Sequence, residues 1–183
     1  MNKIILTSGL IAGTILAIMI VAMVPAFKSG SVDFERGELL GYTTMVVAFL
    51  AVFFGVRAYR ERNGGGTITF KRAFKVGILI TLIACAIHVV TWQIVYFNFI
   101  PDFGELYAQH MIEKMRAQGA TAAAIEAEMV KMKQFAELYE NPLFNAGITF
   151  LEVFPVGLIV TLISAATLRR PTADPSPAEA ATA

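Results

Sequence analysis

The chain has 183 residues, 56% of them hydrophobic and 16% charged, with a formal net charge of +1. Soluble domains carry about 45 to 50% apolar and about 25% charged residues, so this composition excludes an ordinary soluble protein, and a near-neutral charge without a cluster of bases among aromatics gives nucleic acid no surface. Cys85 is the single cysteine, which excludes an intrachain disulfide and any Cys/His metal spacing.

Four apolar runs, about 4–27, 39–59, 74–99 and 143–168, are each near the ~20 residues, at ~1.5 Å rise per residue, that a helix needs to cross a bilayer. They lack the alternation of barrel strands, so they predict an all-α polytopic membrane protein with four transmembrane helices in a domain over 1–170. The first run follows Lys3 and ends at Val24-Pro25-Ala26, a loose imitation of a secretory signal. Its length exceeds the ~7 to 15 residues of a signal core, and a proline before the cut is a poor cleavage context, so it reads as a retained anchor. Gly9 and Gly13 have the small-residue spacing that lets helices approach closely.

Asp33, Glu35 and Glu38 lie ahead of the second run, and Arg57, Arg60, Arg62, Lys71, Arg72 and Lys75, against Glu61, lie between the second and third. With Lys3, Arg169 and Arg170, nine of the fifteen basic residues fall on one side, which the positive-inside rule makes cytoplasmic together with both termini. Gly64-Gly65-Gly66 reads as a flexible break. Thr69 can cap the helix that follows, in which Phe70, Ala73, Phe74 and Gly77 share a face while Lys71, Arg72 and Lys75 snorkel to headgroups. Within the third run, Thr81, Cys85, His88, Thr91 and Trp92 form a stripe at helical spacing.

The segment 102–140 predicts an external helical hairpin between the third and fourth spans. Asp102 with Glu105 makes a capping pair, Gly119 supplies a stop, Thr121 caps the second helix, and Asn141-Pro142 ends it. Phe103, Leu106, Tyr107, His110, Met111 and Met115 give the first helix an apolar face. Ile125, Met129, Met132, Phe135 or Ala136, and Tyr139 give one to the second. A simple hairpin core accounts for both faces, with a Met-rich surface for a protein partner as the alternative. His110 and Glu113, three apart, read as a solvated face in preference to a metal site, because the further His or Cys ligands of zinc are missing.

Glu152 is the one acid inside an apolar run, where insertion costs ~2.5 to 3.5 kcal/mol, and Pro155 beside it removes a backbone donor and predicts a kink. Depth arithmetic places Glu152 ~5 Å outward of the midplane and level with Thr91 and Trp92, with His88 about one turn deeper. The candidate intramembrane cluster is therefore Glu152, His88, Thr91 and Trp92. A Glu152–His88 contact, direct or through water, would lock helix register in the first reading, relay protons in the second, and serve intramembrane catalysis only in a third that lacks a nucleophile and base pattern. Gly157, Thr161 and Ala165 again have packing spacing. The tail at 171–183, with three prolines and two acids, predicts disorder on the cytoplasmic side.

The motifs Phe53-Phe54-Gly55 through Tyr59-Arg60, Phe70 with Ala73-Phe74-Lys75-Val76-Gly77, Tyr139-Glu140-Asn141-Pro142, and Glu152-Val153-Phe154-Pro155-Val156-Gly157 ahead of Leu162-Ile163-Ser164-Ala165 occur in this order. The chain thereby resembles an uncharacterised bacterial family of four-span membrane proteins, a domain of unknown function. That resemblance implies the fold, the topology and a bacterial cytoplasmic membrane, and no site residues. With no cofactor motif in view, the favoured expectation is a non-enzymatic scaffold in the lipid bilayer that binds a protein partner through its hairpin. The alternative is a small proton-coupled transporter or channel using Glu152 and His88, as a homo-oligomer because four helices leave little room for a pore.

Overall fold

The computed structural model describes residues 3–29 and 34–170; Asp33 and the expected tail at 171–183 lie outside the described residues. Six helices follow one another: α1 (Lys3–Lys28), α2 (Phe34–Asn63), α3 (Phe70–Phe99), α4 (Phe103–Ala117), α5 (Ala122–Tyr139) and α6 (Pro142–Leu168). Of these α1, α2, α3 and α6 are long and apolar enough to cross a membrane, and the chain is an all-α multi-pass membrane protein. Leu10, Ile18, Val46, Leu50, Val90 and Ile159 stay exposed along them, the surface a bilayer would cover.

Helices α2 and α3 extend past their apolar runs, because their ends suit polar surroundings. Glu35 lies in the first turn of α2, where the helix dipole favours an acid, and Arg60 and Arg62 lie in its last turn. Thr69 caps α3 by accepting the Arg72 N–H, and Arg72 then rests over the Tyr59 ring, 5.6 Å from its centroid. The glycine triplet is a defined turn and not the flexible break expected. Gly65 and Gly66 take φ of 58° and 87°, which a side chain would oppose, and the Gly64 and Gly66 N–H groups both donate to the Arg60 carbonyl at 3.1 Å.

Neighbour pairs fix the helix directions. Gly9 meets Ile83 and Gly13 meets Ile87, four residues on in both chains, so α1 and α3 run parallel. Gly55 lies on Ser8 while Gly37 lies on Phe27, and Thr81 meets Thr161 while Gln93 meets Asn145, so α2 and α6 run the opposite way. The starts of α1 and α3 and the ends of α2 and α6 therefore share one end of the bundle, and the α4–α5 hairpin sits at the other.

The end away from the hairpin is solid. Phe49, Val52, Val56, Ile80, Ala84 and Val153 are buried there, and Thr81 and Thr161 share a hydrogen bond of 3.0 Å between α3 and α6. A Cβ on Gly157 would fall 2.5 Å from Thr81 Cγ2 and 2.8 Å from the Phe49 ring, so backbone and side chains are in direct contact there. Arg60 is buried beneath this core. It donates to the Leu168 carbonyl at 3.3 Å and forms an ion pair with Glu61 at 2.6 Å, supplying both a donor and a positive charge to the last turn of α6. Ile68 and Arg170 exchange backbone hydrogen bonds of 2.8 Å beside it.

The hairpin departs from its expected form in two ways. Asp102 occupies the N-cap of α4, but its side chain makes no cap bond, because its ψ of 2° is not the extended backbone that aims a carboxylate at the following amides. The two apolar faces also do not close on each other. Ile112 is the only buried residue of α4 and α5 has none. Thr121, by contrast, accepts the Ala124 N–H, and Asn141 accepts the Leu143 and Phe144 N–H groups, capping α6 with Pro142 in its first turn.

Candidate functional site

The faces that the hairpin leaves open look down into a cavity of about 810 Å³ in the hairpin half of the bundle. All six helices line it. Leu16, Met19 and Met23 come from α1, and Glu38, Gly41 and Tyr42 from α2. His88, Trp92 and Tyr96 come from α3, and Thr149 and Glu152 from α6. Met111 of α4 and Met132, Phe135 and Tyr139 of α5 close the top. The expected hairpin core is thus the roof of a chamber, and the first two spans are chamber walls as well as packing elements.

Helix geometry orders the polar groups by depth. Glu38 lies four residues into α2, ~6 Å from its start, whereas Glu152 lies ten residues into α6, ~15 Å from its start. One carboxylate stands nearer the hairpin and the other deeper, and both line the same cavity. Glu152 is exposed on its surface yet crowded by protein, as a group on a concave wall is. The cavity thus gives Glu152 a setting other than packed side chains, where an acid within an apolar helix costs most.

The four residues expected to cluster separate into three environments. Glu152 and His88 line the same cavity, but no hydrogen bond joins them; the direct contact is not made. His88 is 7% exposed and its Nδ1 has no hydrogen-bond partner. Trp92 also lines the cavity, but its Nε1 donates to the Tyr139 hydroxyl at 3.0 Å. Thr91 does not line the cavity; its hydroxyl donates to the Ile87 carbonyl of its own helix at 2.8 Å. A one-residue step rotates a helical side chain by roughly 100°, and here that step carries Thr91 off the wall that Trp92 lines.

Several residues that sequence reasoning passed over hold this half of the molecule together. Gln93 donates to the Pro142 carbonyl and to Asn145 Oδ1, both at 3.0 Å, and Asn145, fully buried, donates to the Tyr139 carbonyl at 3.4 Å. The corner between α5 and α6 is thereby tied to α3. Burial pushes the Tyr139 phenol above its ordinary range, which keeps it neutral as the partner of Trp92. Phe103 meets Trp92 at 5.3 Å and Phe34 at 5.7 Å, and Phe34 in turn meets Tyr107 at 5.6 Å. His110, expected on a solvated face, is half-buried with its ring 5.2 Å from Phe34. A Gln or Asn within an apolar run was the available signal for the corner network; the ring cluster had none, because its members come from three separate helices.

The described charges are unevenly matched. Glu128 and Lys131 of the lining pair with each other at 3.4 Å, and Lys114 on α4 is held by Glu35 at 2.7 Å, which raises the lysine above its usual range. Glu38 and Glu152 have no ion-pair partner among the described residues. Apolar and aromatic walls around a few convergent polar groups are the usual makings of a small-molecule site.

The family described as Protein of unknown function (DUF4199) matches residues 7–170 of the chain. No curated protein and no solved structure matches it.

Proposed function

The chain belongs to the DUF4199 family of proteins of unknown function, and from the cavity we propose that this membrane protein is a non-enzymatic binder of a small, largely apolar molecule. The observation that carries the reading is the contrast between the two halves of one bundle, a chamber of about 810 Å³ under the hairpin and a core with no room for a Cβ on Gly157 below it. A chamber closed at one end holds a ligand. Part of the hairpin's apolar face lines the chamber, which supports ligand binding, while Leu106, Met129 and Leu138 stay exposed and leave a protein partner as the second reading.

We further place the protein in the bacterial cytoplasmic membrane with both termini in the cytoplasm, a reading supported by nine of fifteen basic residues at the loop end of the bundle. The chamber then lies in the external half of the bundle. Gly41 offers a direct test, because it lines the chamber and an added Cβ there meets nothing within 4 Å. Gly41→Phe should project a ring into the chamber and narrow it without straining the backbone, and should favour the helix by about 0.5 kcal/mol. Native mass spectrometry of the purified chain should find small-molecule adducts on the parent and fewer on this variant, with no fall in melting temperature. Equal adducts on both would refute the binding reading, and proton-linked flux in proteoliposomes that is lost in Glu152→Gln would favour the transporter in its place.

A further inference from the structure

The chemistry of the lining narrows the ligand. Of the four charged residues on the chamber wall, Glu128 and Lys131 pair with each other, which leaves Glu38 nearer the hairpin and Glu152 at depth, two carboxyl groups with no ion-pair partner among the described residues, although the Lys114 ammonium of α4 lies close enough to Glu38 to interact with it. Around them stand the rings of Tyr42, Trp92, Tyr96, Tyr107, Phe135 and Tyr139. Aromatic faces are electron-rich and attract cations, carboxylates do so more strongly, and both effects grow where water is partly excluded. Every one of these features repels an anion.

The polar groups of the floor are also not satisfied among themselves. His88 is more than nine-tenths buried on the chamber wall, and its Nδ1 engages no protein group. A purely structural pair of Glu152 and His88 would have closed that bond. Two carboxyl groups, beside a buried His88 whose Nδ1 has no partner among the described residues, border a space sized for a drug-like molecule and suit a ligand of complementary charge.

We propose that the chamber binds a lipophilic organic cation, its charge held between Glu38 and Glu152 and its apolar body against the aromatic wall. This inference rests on the chamber being a ligand site. It adds the sign of the ligand's charge. An alkyl chain alone would leave both acids unpaired, whereas a cationic amphiphile satisfies the acids and the rings together. The volume of about 810 Å³ accommodates several rings or a branched body.

Trp92 is the only tryptophan of the chain and lines the chamber, so intrinsic fluorescence of the full-length protein reads occupancy directly. Tetraphenylphosphonium and tetraphenylborate have similar size and aromatic surface and opposite charge, and they serve as the probes in detergent solution. The phosphonium ion should bind saturably and about ten-fold or more tighter than the borate. Glu38→Gln and Glu152→Gln, near-isosteric changes on an exposed wall, should each weaken phosphonium binding by about three- to ten-fold with no fall in melting temperature. Borate binding as tight as phosphonium, or phosphonium binding that both variants leave unchanged, overturns the cation assignment while the ligand site stands. No saturable response to either ion, in the parent and in Gly41→Phe alike, overturns the ligand site as well.

Discussion

At the scale of single residues, glycines mark the boundary between the two halves of the bundle. Gly157 faces Thr81 and Phe49 with no space for a methyl group, whereas Gly147, on the same helix, has nothing within 4 Å of the position its Cβ would take. Gly157→Ala should therefore cost about 1 to 3 kcal/mol through overpacking, and Gly147→Ala should be neutral or stabilising by up to about 1 kcal/mol. Thermal unfolding in detergent distinguishes them, and equal melting temperatures would contradict the tight seal. The close-packing role of Gly9, Gly13 and Gly157 was legible in the sequence, because small residues at four-residue spacing have few other uses in lipid. The partner of Glu152 was not. Depth can be counted along a helix, but the azimuth that separates His88 and Trp92 from Thr91 depends on how two helices are rotated against each other, and local sequence carries little of that.

At the scale of elements, helix ends separate into those whose cap chemistry operates and one whose chemistry does not. Thr69, Thr121 and Asn141 each accept backbone N–H groups of the helix that follows; the first two were readable as caps, whereas Asn141 with Pro142 was readable only as the stop of the helix before it. Asp102 had an equally good local pattern and makes no cap bond, because the chain turns from α3 into α4 through residues 100–102 with a backbone that suits the turn rather than the cap. Asn141→Ala and Thr121→Ala should each cost about 1 kcal/mol, and Asp102→Ala only a few tenths. Hydrogen exchange over the hairpin provides the readout: faster exchange in the first two variants and none in the third is the expected pattern, and a comparable effect at Asp102 would contradict the cap geometry. The amphipathic stripes on α4 and α5 were also legible. What they cover was not, since an apolar face has the same appearance whether it closes on another helix or roofs a cavity.

At the scale of the whole molecule, four alternating helices bring Lys3, the turn at Gly64 to Gly66 and Arg170 to one end and the hairpin to the other. The number of the spans follows from hydropathy, so the architecture was the most legible level of all. The cavity lies beyond that reach, because it is the space left by six helices and no one of them encodes it. Cys85 is fully buried, which makes the natural chain silent to membrane-impermeant thiol reagents. Against that background, intact cells should label Gln118→Cys at the tip of the hairpin, and Asn63→Cys should react only after the membrane is opened. Labelling in the reverse order would invert the orientation drawn from the basic residues.

The contact between Arg60 and Leu168 joins residues 108 positions apart. During synthesis Arg60 reaches the membrane boundary long before the Leu168 carbonyl exists, with its neighbour Glu61 as the partner already at hand. Only when α6 slides into place can the arginine be withdrawn from water and the Ile68–Arg170 bridge close beside it. The order of manufacture thus gives the finished protein a completion mark. A chain that stalls before its final span displays a basic residue that the complete chain conceals, a difference that membrane quality control could read without inspecting the cavity at the other end.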